Sequence, residues 1–242
     1  MNEKNKIQVI DALTGLKSLD DNSIDAIITS PPYNISKKVG FGTTIDKMEY
    51  DLYGDNMNEE DYQRWQVEIL QECFRVLKPT GSMFYNHKVR YRDGGAIHPM
   101  SWISKTDFLL RQEIIWDRGI AANIRGWRFW QTDERIYWLT KTDQLDEMKP
   151  ADASMTSIWH ISPNGFDKHP CPFPEKLVRN CLSTQKEGAL VLDPFMGSGT
   201  TAIVAKKMGM DYMGFDVSKE YVEMAEQRIK SVKDGRKPSW MV

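Results

Sequence analysis

Cysteine is scarce in this chain. Cys73, Cys171 and Cys181 are its only three, and they lie far apart with neither a pairing pattern nor metal-ligand spacing. That argues against a disulfide framework and a zinc site, and for a reducing compartment. The four histidines are scattered as well, and no metal site is expected. No apolar run approaches the roughly 20 residues of a membrane span. No signal-peptide pattern precedes the first expected strand, so a cytoplasmic location and no membrane partner are expected. A basic excess is lacking too: 32 Lys and Arg face 34 Asp and Glu, for a net charge of −2. Such a balance does not advertise a nucleic-acid binder, but phosphate contacts need only local positive charge. Internal repeats and low-complexity tracts are absent. What the chain does have is length for a real core, 242 residues, and many aromatics, with Trp and Tyr clustering between Trp102 and Trp159.

Apolar patterning alternates strands with helices, which predicts an α/β fold: a mostly parallel sheet, helices on both faces, one domain over residues 1–242. Strands are expected at 7–10, 25–29, 82–86, 112–116, 134–140, 189–192 and 211–215. Asn58 caps a helix whose first turn carries Glu59, Glu60 and Asp61, where the macrodipole favours acids. Tyr62, Trp65, Ile69, Cys73 and Val76 give that helix one apolar face, and Lys78-Pro79-Thr80-Gly81 should stop it. Further helices are expected at 174–184, with Pro174 in its first turn, at 200–208, and at 218–232, capped by Ser218. Segments 35–57, 88–106, 118–133 and 141–168 are long for plain connections, and loops of such length are usually functional.

The apolar run Ile24-Asp25-Ala26-Ile27-Ile28 stops at Thr29-Ser30-Pro31-Pro32-Tyr33-Asn34. Two prolines neither extend a strand nor begin a helix from their own residues, so carbonyls there lose their ladder partners. They face whatever lies off the carboxyl end of the sheet, where open α/β sheets bind ligands. A stiff turn offering a hydroxyl, free carbonyls and a ring suits a flat, amino-bearing group such as a nucleobase. A rigid turn with a packed tyrosine is an equal alternative on this stretch alone.

Leu190-Val191-Leu192-Asp193-Pro194-Phe195-Met196-Gly197-Ser198-Gly199-Thr200-Thr201 reads as strand, glycine loop, helix. Gly197 and Gly199 permit close backbone approach, and the helix start points amides at the loop. Tyr212-Met213-Gly214-Phe215-Asp216 then ends a strand in an acid, placed where a ribose diol is held. The combination favours a nucleotide-like ligand. It is neither a P-loop, lacking Gly-Lys-Ser/Thr, nor the dinucleotide pattern, since Asp193-Pro194 occupies the turn.

Together the two motifs resemble the amino-methylating DNA methyltransferases. Their catalytic Asp/Asn/Ser-Pro-Pro-Tyr/Phe is here Ser30-Pro31-Pro32-Tyr33, and their Phe-x-Gly-x-Gly is here Phe195-Met196-Gly197-Ser198-Gly199. The catalytic motif comes first, as in the circularly permuted beta class. His169-Pro170-Cys171-Pro172-Phe173, just upstream of the glycine loop, resembles the segment completing the methionine end of the cofactor site in that class. The resemblance spans nearly the whole chain. It implies a Rossmann-like S-adenosyl-L-methionine-dependent methyltransferase fold, with a catalytic half at 1–140, a short recognition segment at 141–168 and a cofactor half at 169–242.

It further implies that Asp193 holds the methionine ammonium, Phe195 packs on the cofactor, and Ser198 and Thr200 contact its carboxylate. His169 and Phe173 would complete that end, and Asp216 would take the ribose hydroxyls. Asp11, at the tip of the first strand, would accept from the adenine amine, unless it serves only as a cap. Ser30 and the Pro31 carbonyl would orient the substrate amine beside Pro32, and Tyr33 would stack on a flipped base. Serine in the first position favours N4 of cytosine, with N6 of adenine the alternative. Double-stranded DNA is the implied partner, contacted by Lys37 and Lys38, by Arg90 and Arg92, and by Arg125, Trp127 and Arg128, where basic and aromatic residues interleave. The family resemblance also admits a homodimer and a cognate restriction endonuclease as partners. Methylation of RNA or protein, or a non-catalytic partner subunit, are the rival functions.

Overall fold

The structure is a computed structural model and describes residues 3–35, 57–121, 126–143, 154–163 and 174–236. The strands are β1 (Lys6–Val9), β2 (Ile24–Thr29), β3 (Leu77–His87), β4 (Arg90–Arg92), β5 (Gly95–Ile97), β6 (Leu109–Asp117), β7 (Asp133–Thr140), β8 (Ile158–His160), β9 (Leu190–Asp193) and β10 (Asp211–Asp216). The helices are α1 (Ala12–Lys17), α2 (Glu59–Val76), α3 (Met100–Ile103), α4 (Glu175–Leu182), α5 (Thr200–Lys207) and α6 (Lys219–Lys230). Eight strands form one sheet in the order β1-β10-β9-β2-β3-β7-β6-β8, and β4 with β5 make a separate hairpin. All pairings in the large sheet are parallel except those of β7 with β3 and with β6. The expected α/β architecture is therefore present.

Each face of the sheet is sealed by helices. Ala26, Ile28, Phe84, Ile136 and Trp138 pack with the apolar sides of α4, α5 and α6. Ile27, Met83, Tyr85, Tyr137 and Leu139 pack with α1, α2 and α3. The amphipathic reading of α2 holds: Asn58 caps it by accepting from the Asp61 amide at 2.9 Å, and Tyr62, Ile69, Cys73 and Val76 are buried. Pro174 and Ser218 sit at the N-caps of α4 and α6.

Helix α2 ends at Val76, directly ahead of Lys78–Gly81 as expected, but no loop follows. Leu77 is already extended, and β3 runs through Pro79 and Gly81 as an irregular stretch opposite Ile24 and Ala26. Asp25 steadies that irregularity, accepting from Lys78 Nζ at 2.6 Å and from the Leu190 amide at 2.8 Å. The segments read as long connections also contain structure of their own: the β4–β5 hairpin, α3, and β8 on the sheet edge.

The strand order sets the position of the site. From β9 the chain leaves through α5 to β10 on one side, and from β2 through α2 to β3 on the other. The switch point of the sheet thus lies between β9 and β2, whose carboxyl ends are Asp193 and Thr29. Because β7 runs opposite to its neighbours, the β6–β7 connection opens onto this same edge, as does His87 at the end of β3.

Candidate active site

The turn after β2 is fixed by its side chains. Pro31 and Asn34 are buried, and Ser30 and Tyr33 are half-buried. Tyr33 Oη lies 2.7 Å from Ser30 Oγ, 2.7 Å from Asn86 Oδ1 and 3.0 Å from Glu134 Oε2. The Asn86 amide nitrogen is committed to the Arg135 carbonyl at 3.0 Å, so its oxygen is an acceptor. Glu134 anchors its other oxygen on Arg118 at 3.1 Å. A phenol has one proton, and two acceptors compete for it. Ser30 is then left to donate into the phenol oxygen, which turns the serine lone pairs away from Tyr33. Burial, and next the charge of Glu134, push the Tyr33 phenol well above its usual range, so it stays protonated.

The rest of the turn is clamped from α2. Asn34 has φ 54°, in the left-handed region that asparagine tolerates better than most residues. Its amide pairs twice with Met57 at 2.9 Å, mimicking a strand and tying the turn to the approach to α2. Tyr62 donates to the Pro32 carbonyl at 2.8 Å. Among the described residues, no donor reaches the Pro31 carbonyl. His87 sits 4.5 Å from the Tyr33 ring and 2.7 Å from the Tyr62 hydroxyl, and burial pushes its pKa down to about 3. Its ring is therefore neutral near pH 7.

The glycine loop begins at Asp193, which is 2% exposed. Its carboxylate accepts from Thr29 at 2.8 Å, Thr201 at 2.7 Å and the Phe195 amide at 3.0 Å. Burial chiefly raises its pKa, to about 6. Asp216, at the tip of β10, accepts from the Gly197 amide at 2.8 Å and the Ser218 amide at 2.9 Å, and burial raises it too. Every one of these donors is neutral, so two carboxylates stand at adjacent strand tips with no cation on their oxygens among the described residues.

Other expected residues are held by contacts within the protein. Gly199 has φ 85°, and a Cβ there would meet Ala225 Cβ at 2.7 Å. Its lack of a side chain serves close packing of α6. Ser198 is buried, and its hydroxyl accepts from Arg228 at 2.8 Å, so it faces α6. Thr200 is buried at the start of α5. Phe195 is half-buried and meets Trp65 edge-on at 5.7 Å. Asp11 caps α1, accepting from the Thr14 amide at 2.9 Å. Burial works to raise its pKa, but those amide bonds outweigh it and hold the carboxyl low.

Of the expected DNA contacts, Arg90 is corrected. Its side chain is 7% exposed and makes a bidentate pair with Glu59, both bonds 2.8 Å, beneath the rings of Tyr62 and Trp102. It secures the first turn of α2 and cannot reach a phosphate. Arg92 stays exposed near the proline turn, with Nη2 3.5 Å from the Asn34 carbonyl. Arg128 lies 4.5 Å over the Tyr91 ring, and Tyr91 meets the exposed Trp127 at 6.1 Å. Phe129 and Trp130 are exposed beside them. This aromatic and basic surface joins the β4–β5 hairpin to the β6–β7 connection at the carboxyl edge. Lys37, Lys38, Arg125, His169 and Phe173 lie outside the described residues.

Sequence reasoning missed Thr29, Tyr62, Asn86, His87, Arg118 and Glu134. Thr29 and Asn34 flank the proline motif and were readable from it. Glu134 and Asn86 carry no local signal, because an antiparallel β7 beside β3 is what brings them to Tyr33. Among the described residues no group of three His, Cys, Asp or Glu is placed to hold a metal, and no helix is long and apolar enough to cross a membrane.

Comparison with known proteins adds independent findings. The family model N6_N4_Mtase, described as DNA methylase, matches residues 24–227. The type II methyltransferase M.BglII of Bacillus subtilis is 32% identical over 269 residues, covering 95% of this chain and 70% of that protein. M.HpaI of Haemophilus parainfluenzae is 33% identical over 255 residues, covering 93% and 74%. Among solved structures, the PvuII DNA methyltransferase (cytosine-N4-specific) superposes with a TM-score of 0.74 at 21% identity, over 94% of this chain and 87% of that one. The complex of M1.HpyAVI with S-adenosylmethionine superposes with a TM-score of 0.62 at 23% identity, over 92% and 98%.

Proposed function

The chain belongs to the N6/N4 DNA methylase family and is an S-adenosyl-L-methionine-dependent DNA methyltransferase, and on that footing we propose that it methylates the exocyclic N4 amine of cytosine in double-stranded DNA. The carboxyl edge suits the cofactor. Asp193 and Asp216 present two negative charges whose hydrogen bonds all come from neutral donors, a setting for a ligand carrying sulfonium and ammonium groups. Asp216 has one backbone partner on each oxygen and keeps acceptor capacity for a ribose diol. Phe195 offers a half-buried ring, and Asp11 an acceptor one strand further on. When bound, S-adenosyl-L-methionine supplies an electrophilic methyl group.

The protein's part is orientation. An exocyclic amine delocalises its lone pair into the ring and is a poor nucleophile. Ser30 Oγ, with its lone pairs turned outward, accepts one amine hydrogen, and the Pro31 carbonyl accepts the other. Two acceptors off the ring plane draw the nitrogen toward a tetrahedral shape and aim its lone pair. Positioning of this kind supplies much of a transfer barrier. Tyr33, tethered through its hydroxyl and backed by His87, provides a fixed ring for the flipped base.

The N4 assignment rests on Ser30. A neutral hydroxyl stands where adenine-N6 enzymes of this family more often carry aspartate. Contact with the duplex falls to Arg92, Arg128 and Trp127, joined by Lys37, Lys38 and Arg125. Residues 141–168 serve as a short recognition segment between a catalytic half and a cofactor half, which suits a short target or one shared with a second copy. A cognate endonuclease and a cytoplasmic setting fit the type II relatives. Incubation with tritiated S-adenosyl-L-methionine and unmethylated DNA, followed by digestion to nucleosides, tests the assignment. N4-methylcytosine is expected. N6-methyladenine would overturn the base, and label in RNA or protein but not DNA would overturn the substrate.

A further inference from the structure

Methylation leaves the amine nitrogen with a positive charge and one hydrogen too many. Its lone pair has formed the new N–C bond while the old S–C pair stays on sulfur. The proton on nitrogen must leave, and the structure provides a route. Ser30 Oγ lies 2.7 Å from Tyr33 Oη, which lies 3.0 Å from Glu134 Oε2. Glu134 is 7% exposed, and Arg118 holds its other oxygen at 3.1 Å. Orientation follows from proton counting: the phenol gives its hydrogen to an acceptor on its far side, and Ser30 gives its own to the phenol.

We propose that Ser30, Tyr33 and Glu134 form a proton relay in which Glu134 is the terminal acceptor. The inference rests on the methyl transfer proposed above. As the amine hydrogen passes to Ser30 Oγ, the serine hydrogen passes to Tyr33 Oη and the phenolic hydrogen to Glu134 Oε2. Three protons move one place each. The products are a neutral methylated amine and a protonated Glu134 side chain, with serine and phenol unchanged. After the base leaves, the proton returns by the same path to solvent at the half-exposed Ser30. A cationic methylated amine is strongly acidic, so a carboxylate is an ample acceptor. The groups facing Glu134 are Arg118 from the β6–β7 connection and Tyr33 from the turn after β2, with His87 and Lys88 from the end of β3 around the Tyr33 ring. Arg135 and Asp133 flank it on β7 and pair with each other. Glu134 acts through Tyr33 and Ser30, and is a positioning residue.

Glu134→Gln keeps an acceptor for Tyr33 but cannot take the proton. Its single-turnover transfer to DNA should fall roughly a hundred-fold, with cofactor and DNA affinities held within about two-fold of wild type, and Glu134→Asp should restore most of the rate. Infrared difference spectra of the wild-type enzyme during one turnover should show a protonated-carboxyl band that rises with transfer and decays with product release. An unchanged rate in Glu134→Gln overturns the relay. So does a wild-type turnover with no such band, which holds whether or not the variants fold. Absence of methyl transfer to DNA by the wild type is a separate result: it overturns the proposed function, and the relay with it.

Discussion

Thr29 donates to Asp193 at 2.8 Å, binding the last residue of β2 to the last residue of β9 across the switch point of the sheet. One hydrogen bond thus fixes the catalytic turn relative to the glycine loop, which approach the site from opposite halves of the chain. Thr29→Val keeps the shape and removes the donor. A buried carboxylate deprived of a partner costs roughly 1–3 kcal/mol, so the variant should melt at lower temperature. Transfer should slow more than cofactor binding weakens. An unchanged melting temperature would show that the bond contributes nothing to the joint.

The same network gives stability a particular pH dependence. Asp193 titrates at about 6 in the folded protein, against about 3.9 in an unfolded chain. Between those values the folded state binds the extra proton, so its contribution to stability falls as pH rises and is flat above about 6. His87 works the other way: with a folded pKa of about 3, the unfolded chain binds the extra proton, and stability is lost as pH drops below roughly 6.5. The two slopes oppose each other between roughly pH 4 and 6. Melting curves across that window should therefore fall more steeply toward acid in Asp193→Asn than in wild type. In His87→Asn the acid-side loss should shrink or reverse.

Asn34 invites a pair of substitutions. Asn34→Ala removes both Met57 hydrogen bonds and places at φ 54° a residue that tolerates the left-handed region less well than asparagine. Asn34→Gly relieves the backbone cost but does not restore the latch. Single-turnover transfer should drop in both, whereas thermal stability should recover in part only in the glycine variant. Cofactor affinity should be unchanged in both, since the glycine loop proposed to hold the cofactor is built on β9 and β10. Equal rates for wild type and Asn34→Gly would mean that the turn holds its geometry without α2.

Asp216 and Tyr33 separate binding from chemistry. Asp216→Ala should weaken S-adenosyl-L-methionine binding in calorimetry by about ten-fold or more, the scale of one or two charge-assisted hydrogen bonds. Tyr33→Ala should leave that affinity near wild type and slow transfer. Undiminished cofactor affinity in Asp216→Ala would show that the ribose is held elsewhere.

Much of the fold was legible because period-two and helical patterning, Asn58 and Ser218 caps, and the proline and glycine breaks are local signals. The switch point could be inferred from two motifs that each follow a strand. The antiparallel β7 was not legible as such, and with it went Glu134, Asn86 and Arg118, since pairing direction leaves little trace in the pattern of a buried strand. The packing of α6 against Ser198 and Gly199, through Arg228 and Ala225, was not legible either, because a motif's residues do not reveal what lies behind them. Arg90 failed for a related reason: its partner, Glu59, lies on a helix 31 residues earlier.

That last case gives the sharpest contrast among the basic residues. Arg90, Arg92 and Arg128 all sit in runs that alternate charge with rings, yet of the three Arg90 alone is buried, and it is paired twice with Glu59. Removing it leaves Glu59 with Gln63 but without its bidentate cation at the start of α2, which costs up to about 3 kcal/mol because Glu59 remains partly exposed. Arg90→Ala should therefore lower the melting temperature and leave the salt dependence of DNA binding as it is in wild type. Arg92→Ala and Arg128→Ala should do the opposite. A side chain that neutralises one phosphate contributes about 0.9 to the slope of log affinity against log salt, and its removal flattens the slope by that amount. Binding isotherms on one duplex at several salt concentrations read this directly. A reduced slope in a well-folded Arg90→Ala would return that residue to the DNA surface, and unchanged slopes in both other variants would remove the hairpin and the β6–β7 connection from it.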